Sequence, residues 1–336
     1  MYLSFYGLKE KPFNATPDPR FIYMSPAHRE ALAQLVYATR ERKGFSVLTG
    51  RIGTGKTTLL HALRQRLDGQ TAVAFVVNSS LDFDGILECI LDDFGIAKGM
   101  ESRSQRLLAL KSFLLERERM GQATILMLDE AHNLDPQTLE QIRLLSNFET
   151  PNTKLLQIVL VGQPELRAVL QSPTLQQLKQ RIELRCQIPP LARDEAREYI
   201  RTRLRVAGAP DLGVFTDAAV ERITEYSEGI PRLISLVCDH SLLFGYADQK
   251  RRIDRPTVNQ AIDYLEDDAT APRRLGRVRD AIARRFGGAG RWSVAVARVA
   301  LWSVAAALSG LVVALALRLD AGVLALVQSM HHLANR

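Results

Sequence analysis

Residues 50–57 read GRIGTGKT, which matches the pattern G-x-x-x-x-G-K-[ST] in full. An apolar run at 45–49 precedes this stretch and a helical stretch, residues 57–67, follows it, so strand, loop and helix succeed one another. In such a loop the backbone N–H groups turn inward around a phosphate, at the positive end of the following helix. The sequence therefore predicts a P-loop that binds ATP together with Mg²⁺.

Within this loop we expect Lys56 to neutralise the β- and γ-phosphates and the hydroxyl of Thr57 to coordinate Mg²⁺. The complete predicted nucleotide-binding set is Gly50, Gly53, Thr54, Gly55, Lys56, Thr57 and Thr58.

The second motif is the acidic pair Asp129-Glu130, which directly follows the apolar run 124–128, as a Walker B pair does. We expect Asp129 to hold the magnesium shell and Glu130 to orient and activate the attacking water. The alternative is an acidic pair that caps a helix. The motif continues to spell DEAH, as in one helicase class, but no arginine-glycine nucleotide motif of that class follows. We therefore treat the spelling as coincidental and predict that His132 is a surface residue.

Three further polar residues are candidate catalytic groups. Gln163 follows the fourth apolar run and could sense the γ-phosphate or the water, or it could stabilise a loop. Arg232 opens a helix after Gly-Ile-Pro and could point back at the phosphates, or lie on the surface. Arg181 could complete a neighbouring subunit's site as an arginine finger, or form a simple salt bridge; Arg185 is a weaker candidate.

The pattern of apolar runs predicts an α/β fold followed by helices alone. Nearly continuous apolar runs suit parallel strands that are buried on both faces. The predicted strands are 45–49, 72–78, 124–128, 155–161 and 183–188. The predicted helices between them include 57–67, 103–119 and 136–146. Alternation of this kind argues for a layered α/β domain, which we assign to residues 1–190.

Beyond Pro189-Pro190 only helical spacing remains, and residues 191–268 are predicted to form a helical lid. The predicted lid helices are 194–207, 216–227, 231–246 and 256–265. Asp194 and Thr216 are candidate N-caps, and Gly208 and Gly229 are candidate helix stops.

Charge is distributed unevenly along the 336 residues. Residues 271–336 hold ten arginines and two aspartates, a net charge of +8, which leaves −1 for residues 1–270 of the chain's +7. The body is therefore nearly neutral, which weighs against nucleic acid as its partner. Three widely spaced cysteines fit neither a disulfide framework nor a metal site, and indicate a reduced compartment.

Residues 299–317 contain no charged side chain and are rich in Ala, Leu and Val. A helix of this length spans about 28 Å, close to the ~30 Å of a bilayer's hydrocarbon core. We predict a transmembrane helix here; a buried core helix is the alternative. The basic segment 269–298 precedes it and has apolar residues at helical spacing, which suits a helix on anionic inner-membrane lipids or a solvated linker. The positive-inside rule then places the body in the cytoplasm and residues 318–336 outside, as a short tail.

Several motifs together resemble a known family. They are Phe5-Tyr6-Gly7-Leu8, Lys11-Pro12-Phe13, Pro17-Asp18-Pro19, the stretch HREAL at 28–32, VGQPEL at 161–166 and GIPRLI at 229–234. Over roughly residues 1–265 the chain resembles the general secretion pathway protein A (ExeA-type) AAA+ ATPases, including those of exosortase and exopolysaccharide-export systems. The resemblance implies a five-stranded parallel AAA+ core, a helical lid and homo-oligomeric rings. It departs at the end, because the secretion members carry a peptidoglycan-binding domain after the membrane span.

Three functions remain open from the sequence. The first is a single-pass bacterial inner-membrane AAA+ ATPase that hydrolyses ATP to drive assembly or regulation of an envelope complex, through a membrane-protein partner. The second is a DNA-associated ATP switch of the transposition type. The third is a scaffold that binds ATP and hydrolyses it negligibly.

Overall fold

The structure, a computed structural model, describes residues 2–14, 18–77, 81–96 and 99–267. Its strands are β1 (Phe45–Gly50), β2 (Ala72–Val76), β3 (Thr124–Leu128), β4 (Gln157–Gly162) and β5 (Ile182–Ile188). Its helices are α1 (Tyr2–Tyr6), α2 (Pro26–Arg40), α3 (Lys56–Arg66), α4 (Phe83–Asp93), α5 (Arg103–Arg119), α6 (Pro136–Leu145), α7 (Glu165–Leu170), α8 (Gln176–Arg181), α9 (Arg193–Val206), α10 (Asp217–Ser227), α11 (Pro231–Ala247) and α12 (Arg255–Asp267). Short 3₁₀ turns occur at Pro19–Phe21, Ala131–Asn133 and Pro173–Leu175.

The five strands form one parallel sheet in the order β2-β3-β4-β1-β5. The predicted five-stranded parallel sheet is thus confirmed. Strand β1 lies between β4 and β5, and every one of its residues is buried. The start of β4 was predicted two residues too early. Leu155 and Leu156 are buried, but the backbone N–H of Leu155 bonds Phe148 instead of a strand, so burial there does not mean extension.

Alternate residues of each strand enter different apolar clusters, as the period of two in a strand requires. On one face Val47, Leu126 and Leu160 join the side chains of α4, α5 and α6. On the other face Leu48 and Met127 join those of α2 and α3. Strands β1, β3 and β4 are therefore covered on both faces by helices, which explains why they read as continuous apolar runs. The edge strand β5 instead alternates buried with more exposed residues.

Helix ends follow local hydrogen-bonding chemistry. The hydroxyl of Thr216 accepts the backbone N–H of Ala219 at 3.2 Å, which confirms this predicted N-cap. The prediction for Asp194 is wrong: α9 begins one residue earlier, after Ala192. The reason is that Glu195 reaches back to the N–H of Ala192 at 2.8 Å, half of a capping-box arrangement.

The helical subdomain contains α9 to α12 and also receives the start of the chain. Tyr2, Tyr6 and Phe13 belong to the same apolar cluster as the lid helices. The hydroxyl of Tyr6 donates to the carbonyl of Lys250 at 3.0 Å. The chain thus starts on the lid and enters the sheet domain through α2.

No helix within the described ranges is long and apolar enough to cross a membrane. The predicted basic segment at 269–298, transmembrane helix at 299–317 and tail at 318–336 all lie outside the described residues, which end at Asp267.

Candidate functional site

The P-loop lies at the carboxyl end of the central strand, between β1 and α3. Ile188, the last residue of the edge strand β5, pairs with Gly50, so β5 ends directly beside the loop. A Cβ on Gly50 would lie 2.9 Å from the carbonyl oxygen of Ile188. Because the loop ends at the start of an 11-residue helix, the positive end of α3 faces whatever the loop holds.

Lys56 is a buried cation at the first position of α3, with 5% of its surface exposed. Its Nζ donates to the carbonyl oxygens of Gly50 at 3.0 Å and of Arg51 at 3.2 Å. Burial lowers the pKa of Lys56, while the charges of Glu130 and Asp129 act in the opposite direction. The lysine therefore lies inside the loop, where an anionic phosphate would relieve the cost of burying its charge.

Thr57 and Asp129 meet directly. The Thr57 hydroxyl donates to Oδ2 of Asp129 at 2.6 Å, and the carboxylate, 2% exposed, also accepts the N–H of Glu130 at 2.9 Å. A hydroxyl and a carboxylate that converge on one point are the hard oxygen donors that Mg²⁺ takes. No group of three or more His, Cys, Asp or Glu that could hold a metal occurs within the described residues.

Glu130 follows with a left-handed backbone (φ 52°), which turns its side chain toward His132. The Nδ1 atom of His132 lies 3.4 Å from Oε2 of Glu130. Gln163 contacts the same ring twice, with its backbone nitrogen 3.4 Å from Nδ1 and its side-chain amide 3.0 Å from Nε2. The prediction that His132 is a surface residue is wrong: its side chain is only 12% exposed, because it fills the space between the ends of β3 and β4.

The lid helix α11 begins against the P-loop. The N–H of Arg232 donates to the carbonyl of Gly53 at 3.3 Å, and a Cβ on Gly53 would lie 2.8 Å from the Cβ of Arg232. A half-exposed ion pair, Arg51 with Glu228 at 2.6 Å, lies beside this contact. The structure therefore places Arg232 at the loop, with its side chain exposed to solvent.

A cavity of about 650 Å³ lies beside the loop, between the sheet domain and the lid. Its walls include Ile22, Tyr23 and Met24 from the N-terminal segment and Tyr199 and Pro231 from the lid. Thr58 and His28 also face it. A mostly apolar cavity of this size, open to the P-loop, can hold a nucleoside. Of these lining residues only Thr58 belongs to the predicted nucleotide-binding set. The others come from segments that only the tertiary fold brings together.

Comparisons with known proteins identify the domain that contains this site. Residues 39–170 match the family described as AAA domain. Over 274 residues, or 80% of its length, the chain is 40% identical to general secretion pathway protein A of Aeromonas hydrophila. The chain belongs to the AAA+ family of general secretion pathway protein A. It spans about half the length of that relative. An uncharacterised HTH-type transcriptional regulator of Methanocaldococcus jannaschii is 35% identical over 91 residues, which are 26% of this chain and 22% of the regulator.

Solved structures show the same AAA+ fold. The ORC2 protein of Aeropyrum pernix in its ADP form superposes with a TM-score of 0.59 and 15% identity, over 76% of this chain and 73% of that one. Cdc6p of Pyrobaculum aerophilum superposes with a TM-score of 0.56 and 19% identity, over 76% and 75%. At these identities the likeness concerns the fold alone.

In this AAA+ domain Arg181 lies away from its own chain's P-loop. It ends α8 just before β5, whose first residue, Ile182, pairs with Phe45 at the amino end of β1. The P-loop follows the other end of β1, roughly 17 Å along a strand of this length. The guanidinium of Arg181 donates instead to Oγ of Ser146 at 2.5 Å.

Proposed function

We propose that this protein is an ATP hydrolase whose AAA+ domain drives assembly or regulation of a bacterial cell-envelope secretion or polysaccharide-export complex. One observation carries the enzymatic part: Thr57 hydrogen-bonds Asp129 beside the buried ammonium of Lys56. One site thus combines the donors for Mg²⁺ with the cation for the phosphates. The general acid–base candidate, Glu130, is the next residue along the chain.

The site's own residues divide the work of hydrolysis among them. Lys56 and the N-terminus of α3 hold the phosphates, and Thr57 and Asp129 hold Mg²⁺, which when bound supplies neutralisation of phosphate charge. Glu130 orients the attacking water and accepts its proton at a carboxylate oxygen. Gln163 contacts the same part of the site through His132, and Arg232 comes from the lid to the phosphates. Arg181 acts in trans, in the neighbouring subunit's site of a homo-oligomeric ring.

The hydrolytic role is tested by Glu130→Gln, which keeps the shape of the side chain and removes its basicity. ATP turnover should fall at least about a hundredfold, within the range of a lost general base, while ATP binding is retained. Glu116→Gln, an exposed position on α5, makes the same charge change away from the site and should leave turnover unchanged. Equal turnover in the wild type and Glu130→Gln would exclude Glu130 as the base and favour the scaffold function.

The envelope role rests on two supports, the relative named for general secretion and the apolar stretch 299–317 after a basic segment. We infer a single-pass anchor in the bacterial inner membrane, with the ATPase domain in the cytoplasm and the basic segment on anionic lipids. Fusing residues 271–336 to a soluble reporter should carry the reporter into the membrane fraction and keep it there at alkaline pH. A reporter that stays fully soluble would remove the anchor from the proposal.

The partner is sought with the full-length Glu130→Gln protein, extracted from membranes with ATP bound. Stalled hydrolysis should preserve nucleotide-dependent contacts, so proteins that co-purify with ATP but not without nucleotide are the informative ones. Recovery of secretion, exosortase or polysaccharide-export components would support the envelope role. Recovery of a transposase or of DNA would favour the DNA-associated switch, which the net charge of −1 over residues 1–270 otherwise disfavours.

A further inference from the structure

His28 connects helix α2 to the P-loop through both of its ring nitrogens. The side chain is buried, with 5% of the residue exposed. Its Nε2 lies 2.9 Å from the carbonyl oxygen of Thr54, and its Nδ1 lies 2.7 Å from Oγ of Ser25. Since a carbonyl oxygen only accepts, Nε2 carries the proton, and Nδ1 accepts from the Ser25 hydroxyl.

The serine is held in the matching orientation. Ser25 is the N-cap of α2, and its Oγ accepts the backbone N–H of His28 at 3.3 Å. Its own proton is therefore free to point at Nδ1, which defines the ring's tautomer. Burial lowers the pKa of His28, which keeps the ring in this neutral form. The result is a rigid N–H donor directed at one carbonyl group of the P-loop.

That carbonyl determines where a neighbouring donor points. The C=O of Thr54 and the N–H of Gly55 belong to one planar trans peptide, so the two bonds point in opposite directions. When His28 holds the carbonyl, the N–H of Gly55 is turned away from α2. Gly55 has φ +96°, a conformation that glycine adopts readily, and a Cβ there would lie 3.2 Å from Nε2 of His28. Glycine thus permits this peptide to rotate, and His28 selects one of its orientations.

We propose that His28 is a positioning residue for nucleotide binding, which fixes the Thr54–Gly55 peptide so that the N–H of Gly55 is presented to a phosphate. This inference rests on the proposed ATP-binding function of the P-loop. It assigns to the histidine of the HREAL stretch a task in the phosphate cradle, although the residue is 26 positions before Thr54 in the chain.

The test compares three substitutions in the full-length protein: His28→Ala, His28→Gln and His28→Asn. Glutamine places an amide N–H near the position of Nε2, whereas asparagine has the same chemistry but is one methylene too short to reach Thr54. Affinity is measured by titration with a fluorescent ATP analogue and Mg²⁺, and the folded fraction by circular dichroism. Ala and Asn should weaken binding roughly tenfold, the effect of losing one buried hydrogen bond, and Gln should stay within about threefold of the wild type.

Two further readouts separate positioning from simple packing. Turnover at saturating ATP should stay near the wild-type rate in all three variants while KM for ATP rises in Ala and Asn. The ratio of ATP to GTP affinity should not change, because the peptide contacts phosphate and not the base. A changed ratio would overturn the inference, since His28 would then act on the base in the adjoining cavity.

The outcomes distinguish this inference from the proposed function. If the wild-type protein does not bind ATP, the proposed function fails. If it binds ATP and the folded Ala and Asn variants bind equally well, only the role of His28 fails. Should those variants not fold, Ser25→Ala and Ser25→Thr replace them. Ser25→Ala, which loses the hydroxyl, should weaken ATP binding, whereas Ser25→Thr, which keeps it, should not. Equal ATP binding by the two variants would contradict the inference.

Discussion

At the scale of single residues, the site depends on charged groups that are buried but satisfied. Lys56 is stabilised by two P-loop carbonyls, and the carboxylate of Asp129 by a hydroxyl and a backbone N–H. Burying a charge costs several kcal/mol unless it is paired, so the loop is built to accept a ligand of complementary charge.

His132 supports a prediction about catalysis at this scale. Its ring lies between Glu130 and Gln163, so removing it releases both side chains. We expect His132→Ala to lower kcat roughly three- to tenfold, the effect of losing about 1 kcal/mol of hydrogen bonding, with KM for ATP unchanged. His132→Gln, which keeps an amide in the space, should retain most of the activity.

Steady-state ATP hydrolysis by the two variants checks this expectation. A kcat of His132→Ala equal to that of the wild type would show that Glu130 and Gln163 are held without the ring. A rise in KM with no change in kcat would point to nucleotide binding instead.

At the scale of secondary structure elements, the junction between α10 and α11 is where the lid meets the linker from the sheet. Gly229 has φ +74°, and a Cβ there would lie 2.0 Å from the carbonyl oxygen of Leu191. The backbone N–H of Leu191 also donates a hydrogen bond to the carbonyl of Gly229 at 2.8 Å. Only glycine lets the backbones come this close, just after α10 ends with Glu228 in a left-handed conformation (φ 48°).

We therefore expect Gly229→Ala to be strongly destabilising, by at least about 2 kcal/mol, because left-handed strain and a backbone clash add together. Gly95→Ala is the matched control. Gly95 has a similar φ, +68°, but nothing lies within 4 Å of an added Cβ, so only the backbone cost of about 1 kcal/mol applies. Urea denaturation of both variants measures the difference, and equal losses of stability would contradict the role of the contact with Leu191.

The start of α12 gives a prediction about pH. Oδ1 of Asp254 accepts from the backbone N–H of Thr257 at 3.0 Å and from its hydroxyl at 2.6 Å. The pKa of Asp254 is lowered from 3.8 to about 2. The hydrogen bond from the Thr257 side chain contributes most, and the Thr257 backbone N–H and Lys250 act in the same direction. Because the folded state binds this proton less readily than the unfolded state, the carboxylate stabilises the fold above about pH 4. That contribution is lost as the pH falls from about 4 through about 2.

Asp254→Asn should thus lower the thermal midpoint at pH 7, and the difference from the wild type should shrink toward pH 2. Asp263→Asn, at an exposed position later in the same helix, makes the same change of charge and is the matched control. A difference from the wild type that is the same at both pH values would show that the charge of Asp254 contributes nothing.

At the scale of the whole molecule, Arg181 and the P-loop lie at opposite ends of the sheet. In a ring, a finger from one subunit would serve the site of the next. Arg181→Ala and Lys56→Ala should each abolish most turnover alone, since a trans-acting arginine is worth about 10³-fold or more. Mixing equal amounts of the two proteins should restore activity, because some sites then combine an intact Lys56 with an intact Arg181 from the neighbour. If subunits assort at random across head-to-tail contacts, about a quarter of the sites are active.

Arg185→Ala is the control for this mixing experiment. Arg185 lies within β5, and its guanidinium donates to the carbonyl of Lys179 at 2.9 Å. Its removal should leave turnover near the wild-type rate. Failure of the mixture to regain activity would exclude a shared site and leave Arg181 with its contact to Ser146.

The linear sequence by itself determined the parallel sheet, the P-loop and the run of helices alone after β5. Continuous apolar runs and the GRIGTGKT stretch are local signals, because a strand's period and a loop's glycines act through near neighbours. Local chemistry also correctly predicted Thr216 as the N-cap of α10. The predicted N-cap at Asp194 was wrong, because Glu195 on the same turn accepts the N–H of Ala192 and the helix begins earlier.

Tertiary structure alone decided which distant residues meet. His132 is polar and reads as exposed, yet only 12% of its side chain is exposed, because β3 and β4 end side by side and Gln163 follows β4. His28 reaches Thr54 only because α2 and the P-loop helix α3 pack on the same face of the sheet. The cavity wall likewise joins Tyr23, near the start of the chain, to Tyr199 of the lid, because Tyr23 packs against the lid's apolar cluster. Pattern and spacing carry no information about such contacts, since they depend on how the elements are packed in space.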